Sequence, residues 1–134
     1  MNPDERTEYC KLRIETAYKT VEAAQLLSAN EYYNAAVNRL YYALFYAVNA
    51  LLVKNEIYSH SHSGMKSQFS LHFIKTGKLD KKFGKLLAQL YDWRQKGDYE
   101  NLYDYDAIAV DSLFEPINEM IGRIEQEINT ADLL

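Results

Sequence analysis

The segment EYYNAAVNRLYYALFYAVNALLV, residues 31–53, is apolar or aromatic on nearly every side of a helix. A helix with so little polar surface is buried all round, so it predicts the central member of a helical bundle, over about residues 31–55. Five glycines and two prolines are too few for the turns of an all-β fold. We therefore expect an all-α chain that forms one domain over residues 1–134.

The other helices are predicted from apolar residues that recur every three or four positions. Helix 1 should span about residues 3–29, because Asn2 can cap it and Pro3 suits its first position. A loop over residues 55–64 then leads to a short helix that Gly77 closes.

Two long helices complete the prediction. Helix 4 should begin at Asp80 and end at Gly97, and helix 5 should span about residues 106–129 with a kink at Pro116. The expected architecture is an antiparallel, up-and-down bundle of four long helices plus one short helix.

An arginine ends the apolar stripe of helix 4. Phe83, Leu87 and Leu90 lie at spacings of four and three, and Arg94 follows four positions later. A charge that points toward the core must find a carboxylate, a ring face or a ligand, because burying it alone is very costly. Arg94 is therefore the first candidate functional residue.

One stripe of the central helix is polar. Asn38, Tyr42 and Asn49 are spaced by four and seven, with Arg39 and Tyr46 beside them. These side chains either satisfy one another or face solvent, or they line a pocket or the contact with a second subunit. The surplus of tyrosines, 12 in 134 residues, favours a surface built for contact.

Charge is unevenly distributed along the chain. The net charge of −4 argues against coating nucleic acid by charge alone. Residues 66–96 hold eight lysines and arginines against two acids, whereas residues 97–134 hold one arginine against ten acids. The two segments are either two solvated helix faces or a site at one end for an anionic ligand or a basic partner.

Cysteine and histidine usage excludes several kinds of site. Cys10 is the single cysteine, so no disulfide forms within the chain, which fits a reducing cytoplasm. No run approaches the roughly 18 apolar residues of a membrane span. His60, His62 and His72 can in principle hold zinc, but polar loop histidines or a contact at the short helix fit better. We expect neither a metal nor a cofactor.

Four fragments carry a family resemblance: NAAVNRLYYA at 34–43, HSG at 62–64, HFIKTG at 72–77 and RQKGDY at 94–99. Their order and spacing resemble the HEPN superfamily, in particular its prokaryotic branch with N-R-x-Y-Y and R-Q-x-x-D-Y motifs. The resemblance covers roughly residues 8–128.

The resemblance implies a helical bundle that forms a homodimer, often encoded beside a minimal nucleotidyltransferase as a toxin and antitoxin pair. Many HEPN proteins are metal-independent ribonucleases, whose site is an arginine followed about five residues later by a histidine. Arg94 matches the arginine, but Tyr99 occupies the histidine position. A tyrosine, with a pKa near 10, is a poor base at pH 7, although it can still donate a hydrogen bond.

Three hypotheses follow. The first is a binding module, in which a homodimer holds RNA or a nucleotide in a shared cleft and a minimal nucleotidyltransferase is the protein partner. The second is an active RNA endonuclease toxin that uses Arg94 and a substitute for the missing histidine. The third is a structural adaptor, in which Arg94 forms a buried ion pair. The candidate ligand-binding residues are Asn38, Arg39, Tyr42, Arg94, Asp98 and Tyr99, and any catalysis would fall to Arg94 and Tyr99.

Overall fold

The structure is a computed structural model that describes residues 1–99 and 104–131, with Tyr99 and Ala131 described by their backbone alone. Within these residues the chain folds as helices: α1 (Pro3–Ala29), α2 (Tyr33–Lys54), α3 (His62–Phe69), α4 (Lys81–Tyr99) and α5 (Ala107–Ala131). A turn of π-helix, Ser70–Ile74, continues α3. The predicted all-α bundle of four long helices and one short helix is confirmed.

The start of α1 is built as its sequence predicts. The side chain of Asn2 accepts a hydrogen bond from the backbone N–H of Glu5 at 2.8 Å, and Pro3 occupies the first helical position. The helix ends at Ala29 with Asn30 as its C-cap, after which Glu31 adopts a left-handed conformation with φ of 67°. That conformation lets the chain reverse directly into α2.

The central helix is α2, which packs against α1, α4 and α5. Leu40, Tyr41, Leu44 and Leu51 on this helix are fully buried. By length and composition alone, α2 is long and apolar enough to cross a membrane. However, 67% of its apolar window is buried inside the bundle, which is the position of a core helix.

Helix α4 continues past Gly97, where the sequence predicted its end. A Cβ atom at Gly97 would lie 3.3 Å from the ring of Tyr105 and 3.7 Å from Cγ of Asn34. This glycine therefore permits close packing inside a helix. As a result, Asp98 lies on α4, one helical turn beyond Arg94.

Two other boundaries bear on the site. α3 begins at His62, within the predicted loop, because Ser61 caps it by accepting a hydrogen bond from the backbone N–H of Gly64 at 2.9 Å. α5 is continuous across Pro116, and its apolar stripe is buried. The stripe consists of Val110, Leu113, Ile117, Met120, Ile124 and Ile128.

Candidate functional site

The Arg94 side chain lies over two tyrosine rings of α2. Its Cζ atom is 4.8 Å from the ring centre of Tyr41 and 5.6 Å from that of Tyr42, and Nη1 donates to the Tyr42 hydroxyl at 3.3 Å. The Nε atom is buried and has no hydrogen-bond partner. As predicted from its place in the stripe, Arg94 points inward, and the groups it meets are ring faces.

No carboxylate of the described residues forms an ion pair with Arg94. Asp98, one turn along the same helix, instead accepts a hydrogen bond from Nδ2 of Asn38 at 2.9 Å. Arg6 also has a buried Nε without a hydrogen bond, but its guanidinium pairs with Glu56 at 3.1 Å. Of the two arginines whose buried Nε lacks a hydrogen bond, Arg6 therefore has a carboxylate partner, whereas Arg94 has none among the described residues.

Asn38 connects Asp98 to a second arginine. Its Oδ1 accepts hydrogen bonds from Nε and Nη2 of Arg39 at 3.2 and 2.9 Å. The guanidinium of Arg39 lies 4.9 Å from the ring centre of Tyr42, so this ring contacts both Arg39 and Arg94. The structure thus brings five of the six predicted residues together, and the side chain of Tyr99 lies outside the described residues.

The rest of the polar stripe on α2 belongs to a different contact. Asn49 accepts a hydrogen bond from the Tyr9 hydroxyl of α1 at 2.7 Å, so it is satisfied within the bundle. Arg13 of α1 lies 5.2 Å from the ring centre of Tyr9 and 5.6 Å from that of Tyr46. Asn49 is therefore satisfied by a hydrogen bond within the chain, which requires neither a ligand nor a second subunit.

His62 joins the site, although its position was predicted to lie in a loop. Its Nδ1 shares a hydrogen bond of 2.7 Å with the hydroxyl of Tyr41, and its ring packs 4.6 Å from that of Phe45. Burial, and secondly the charge of Arg94, lower the pKa of His62 from its ordinary value of 6.5. Both influences favour the neutral imidazole over the charged form.

Tyr41 is the buried centre of this arrangement. It is fully buried, and burial raises the pKa of its hydroxyl well above the ordinary value of 10.0. The ring of Tyr91 lies 5.9 Å away, and the ammonium of Lys66 lies 4.6 Å from the Tyr91 ring. We use the name Arg94 cluster for the following group of side chains: Arg39, Tyr41, Tyr42, His62, Tyr91 and Arg94.

Sequence reasoning missed His62 and Tyr41. The signal for His62 was its place directly after Ser61, a residue that caps helices, and two positions before Gly64. Nothing local indicates that the hydroxyl of Tyr41 reaches a residue 21 positions later. That contact depends on how α3 crosses α2.

The histidines do not converge on a metal in the part of the chain that the structure describes. There, no three histidine, cysteine, aspartate or glutamate side chains lie close enough to hold an ion. His62 bonds to Tyr41, and Nε2 of His72 lies 3.0 Å from Oε1 of Gln68. The chemistry that the Arg94 cluster offers is cationic and aromatic.

Comparison with known proteins gives consistent matches. A family model described as HEPN domain matches residues 10–127. A UPF0332 protein of Thermotoga maritima is 36% identical over 129 residues, which cover 96% of each chain. Two proteins of Methanocaldococcus jannaschii are named "Putative toxin MJ0142" and "Putative toxin MJ0605". The first is 42% identical over 65% of this chain and 59% of its own, and the second is 35% identical over 74% and 73%. The fold and these matches together place the chain in the HEPN domain family.

Proposed function

We propose that this chain is a toxin-like binding module whose Arg94 cluster holds a phosphate group of RNA or a nucleotide. The observation that carries the proposal is the guanidinium of Arg94, which faces two tyrosine rings and has no described carboxylate as its counterion. A partly buried cation without a counterion is costly. A phosphate supplies the missing negative charge and accepts the guanidinium N–H groups two at a time.

The neighbours of Arg94 suit a nucleotide as well as a phosphate. Arg39 adds a second cation on the ring of Tyr42, within the same cluster. The partly buried aromatic rings of Tyr42 and Tyr91 lie beside cationic side chains and add apolar surface against which a base can pack. The two carboxylates of α4 near Arg94 have other partners, because Asp98 accepts a hydrogen bond from Asn38 and Asp92 pairs with Lys96. No step in this proposal needs a metal or a cofactor.

The proposal includes assembly. We place the chain in the cytoplasm as a two-fold homodimer, which is the commonest symmetry for small oligomers. The relatives named as toxins support a toxin and antitoxin pair, in which the partner would be a minimal nucleotidyltransferase. Light scattering at tens of micromolar protein tests the dimer, and a monomeric mass contradicts the shared cleft.

Binding can be tested with a matched pair of arginine variants. Arg94→Ala removes the proposed phosphate contact, whereas Arg123→Ala removes an arginine that pairs with Glu127 at 3.0 Å. We expect Arg94→Ala to weaken binding of a fluorescent oligoribonucleotide more than tenfold, measured by anisotropy with chelator present. Arg123→Ala should bind like the wild type. Equal affinities of the two variants contradict the proposal.

A second function, metal-independent RNA cleavage, is favoured by one observation, the position of His62. It lies against the same Tyr41 and Tyr42 rings as Arg94 and is a candidate for the role of the missing histidine. In the tautomer that donates from Nδ1 to Tyr41, Nε2 can take the proton of a 2′-hydroxyl. The 2′-oxygen then bonds to phosphorus, the bond to the 5′-oxygen breaks, and water protonates that oxygen. The products are a 2′,3′-cyclic phosphate and a 5′-hydroxyl end.

One experiment distinguishes RNA cleavage from RNA binding. RNA incubated with protein and chelator stays intact if the chain is a binding module only. Cleavage that His62→Gln abolishes, with RNA affinity unchanged, establishes the ribonuclease. Intact RNA together with no RNA binding leaves the structural adaptor.

A further inference from the structure

We infer that the RNA is a single strand of several nucleotides, which runs from the Arg94 cluster into a lysine-lined groove between α3 and α4. This inference rests on the proposed function and extends it, because it defines the substrate class. A single nucleotide would use the Arg94 cluster alone. A longer strand would use the groove as well.

The groove is an open depression of about 560 Å³. Lys66 and Lys75 come from the α3 side and Lys81 and Lys85 from the α4 side. No acidic residue is among its lining residues, and none of the four lysines pairs with a carboxylate that the structure describes. Four cations that face one depression without counterions make a strong site for a polyanion.

Other lysines of α4 show the contrast. Lys82 pairs with Glu119 and Lys96 pairs with Asp92, and both lie outside the groove lining. On this helix Lys82 and Lys96 therefore form ion pairs, whereas Lys81 and Lys85 form none with a carboxylate that the structure describes. This partition is the electrostatic pattern of a surface that accepts a charged partner.

The floor of the groove is apolar. Phe69, Ile74, Leu87 and Ala88 line it, and Gly84 brings α4 close to the π-helical turn. A Cβ atom at Gly84 would lie 3.2 Å from Cγ1 of Ile74, so a larger residue would push the two walls apart. An apolar floor between cationic rims suits bases below and phosphates above, which is how single strands are held without reading their sequence.

The groove adjoins the Arg94 cluster, and this contact favours RNA over an acidic protein segment as the occupant of the groove. Lys66 belongs to the groove lining, and its ammonium also lies 4.6 Å from the ring of Tyr91. Tyr91 contacts Tyr41, whose ring lies beneath the guanidinium of Arg94. The two sites therefore meet at one lysine, and a strand with repeated phosphates can occupy both.

The test compares two triple variants of equal charge change. The groove variant is Lys75→Gln, Lys81→Gln and Lys85→Gln. The control is Lys11→Gln, Lys19→Gln and Lys78→Gln, three exposed lysines outside the groove. The probes are a dinucleotide and a twelve-nucleotide single strand of RNA, both fluorescein-labelled. Thermal melts verify that each variant is folded.

We expect the groove variant to bind the twelve-nucleotide strand about tenfold more weakly and the dinucleotide as well as the wild type does. The slope of log affinity against log salt for the long strand should fall by about 2, because three phosphate contacts are lost. The control should lose less than twofold. Arg94→Ala should weaken binding of both probes.

Several outcomes overturn the inference. If the two triple variants lose the same affinity for the long strand, the loss reflects net charge and the groove has no specific role. A full effect of Arg94→Ala with no effect of the groove variant leaves the proposed function standing and removes the groove from the path. An effect of the groove variant without one of Arg94→Ala removes both the proposed function and the continuous path. Tighter, groove-dependent binding of a polyglutamate peptide than of the RNA assigns the groove to an acidic protein.

Discussion

Tyrosine and arginine side chains have different partners on two faces of the bundle. One face is formed by α1 and α5, and the other by α2 and α4. Between α1 and α5, the hydroxyl of Tyr18 donates to Glu125 at 3.1 Å, and on α5 Arg123 pairs with Glu127. Between α2 and α4, Tyr42 and Arg94 contact each other, and no described carboxylate pairs with that arginine. On the first face Tyr18 and Arg123 have carboxylate partners within the chain, whereas on the second face Arg94 has none among the described residues.

The difference teaches how a structural arginine can be told from a candidate binding arginine in a small bundle. Arg123 and Arg94 are both partly buried. What separates them is whether the fold itself supplies the negative charge. Asn38 strengthens the distinction, because it bonds to Asp98, the carboxylate that lies one helical turn from Arg94.

The largest expected effect concerns the buried centre of the α2 and α4 face. Tyr41→Ala should lower the free energy of unfolding by about 3 to 5 kcal/mol, because a fully buried aromatic ring leaves a cavity. Tyr18→Ala, on the other face, should cost less than half as much, because Tyr18 is only partly buried. Urea unfolding followed by the fluorescence of Trp93 measures both. Similar losses would contradict the central place given to Tyr41.

The second effect separates binding from stability. At 100 times its Kd, RNA should raise the free energy of unfolding of the wild type and of Arg123→Ala by about 2.7 kcal/mol. In Arg94→Ala, whose affinity should be more than tenfold weaker, this gain should fall to about 1.4 kcal/mol or less at the same RNA concentration. Without RNA, Arg94→Ala should cost about 1 kcal/mol or less, because no ion pair is lost. Severe unfolding of Arg94→Ala, with RNA affinity intact in the folded fraction, would make Arg94 a structural residue.

A third prediction concerns the hydrogen bond from Asn38 to Asp98, which Asn38→Ala removes. Asn38→Ala should lower the free energy of unfolding by about 0.5 to 1 kcal/mol through the lost hydrogen bonds. It should also weaken RNA binding several-fold, because the released carboxylate can pair with Arg94. The double variant Asn38→Ala, Asp98→Asn should regain most of the affinity. If affinity is not regained, Asn38 contacts the ligand itself.

The smallest effect is a pH dependence at His62. Its pKa is lower in the folded chain than the ordinary value of 6.5, so the unfolded chain binds the proton more readily. The stability contributed by the neutral imidazole is therefore complete above pH 6.5 and falls as the pH drops below that value. His62→Gln should show a shallower loss between pH 7 and 5 in urea unfolding. An identical slope in the two proteins would place His62 in solvent.

Much of the fold could be predicted because it depends on local pattern. Phe83, Leu87 and Leu90 are buried as their spacing indicates, and Asn2 caps α1. The end of α4 could not be predicted from Gly97, because a glycine that ends a helix and one that permits close packing look alike in sequence. The close approach of Tyr105 and Asn34 to Gly97 distinguishes them.

The candidate site could be predicted only in part, because some of its features follow from local pattern and others depend on how the helices pack. The inward direction of Arg94 follows from its position in the stripe, but its partners do not. An aspartate four positions later favours an ion pair within the helix. The observed partner of Asp98 is Asn38, 60 positions earlier in the sequence, and this pairing depends on how α2 packs against α4.

The central claim, that Arg94 is open to a phosphate, can be measured on the guanidinium itself. Two-dimensional proton–nitrogen NMR of the arginine Nε–H groups, with the Arg94 signal assigned by its loss in Arg94→Lys, follows a titration with single-stranded RNA. The account predicts that the Arg94 signal shifts progressively to saturation, while the signal of Arg123, already paired with Glu127, stays in place. An unshifted Arg94 signal at saturating RNA would contradict it.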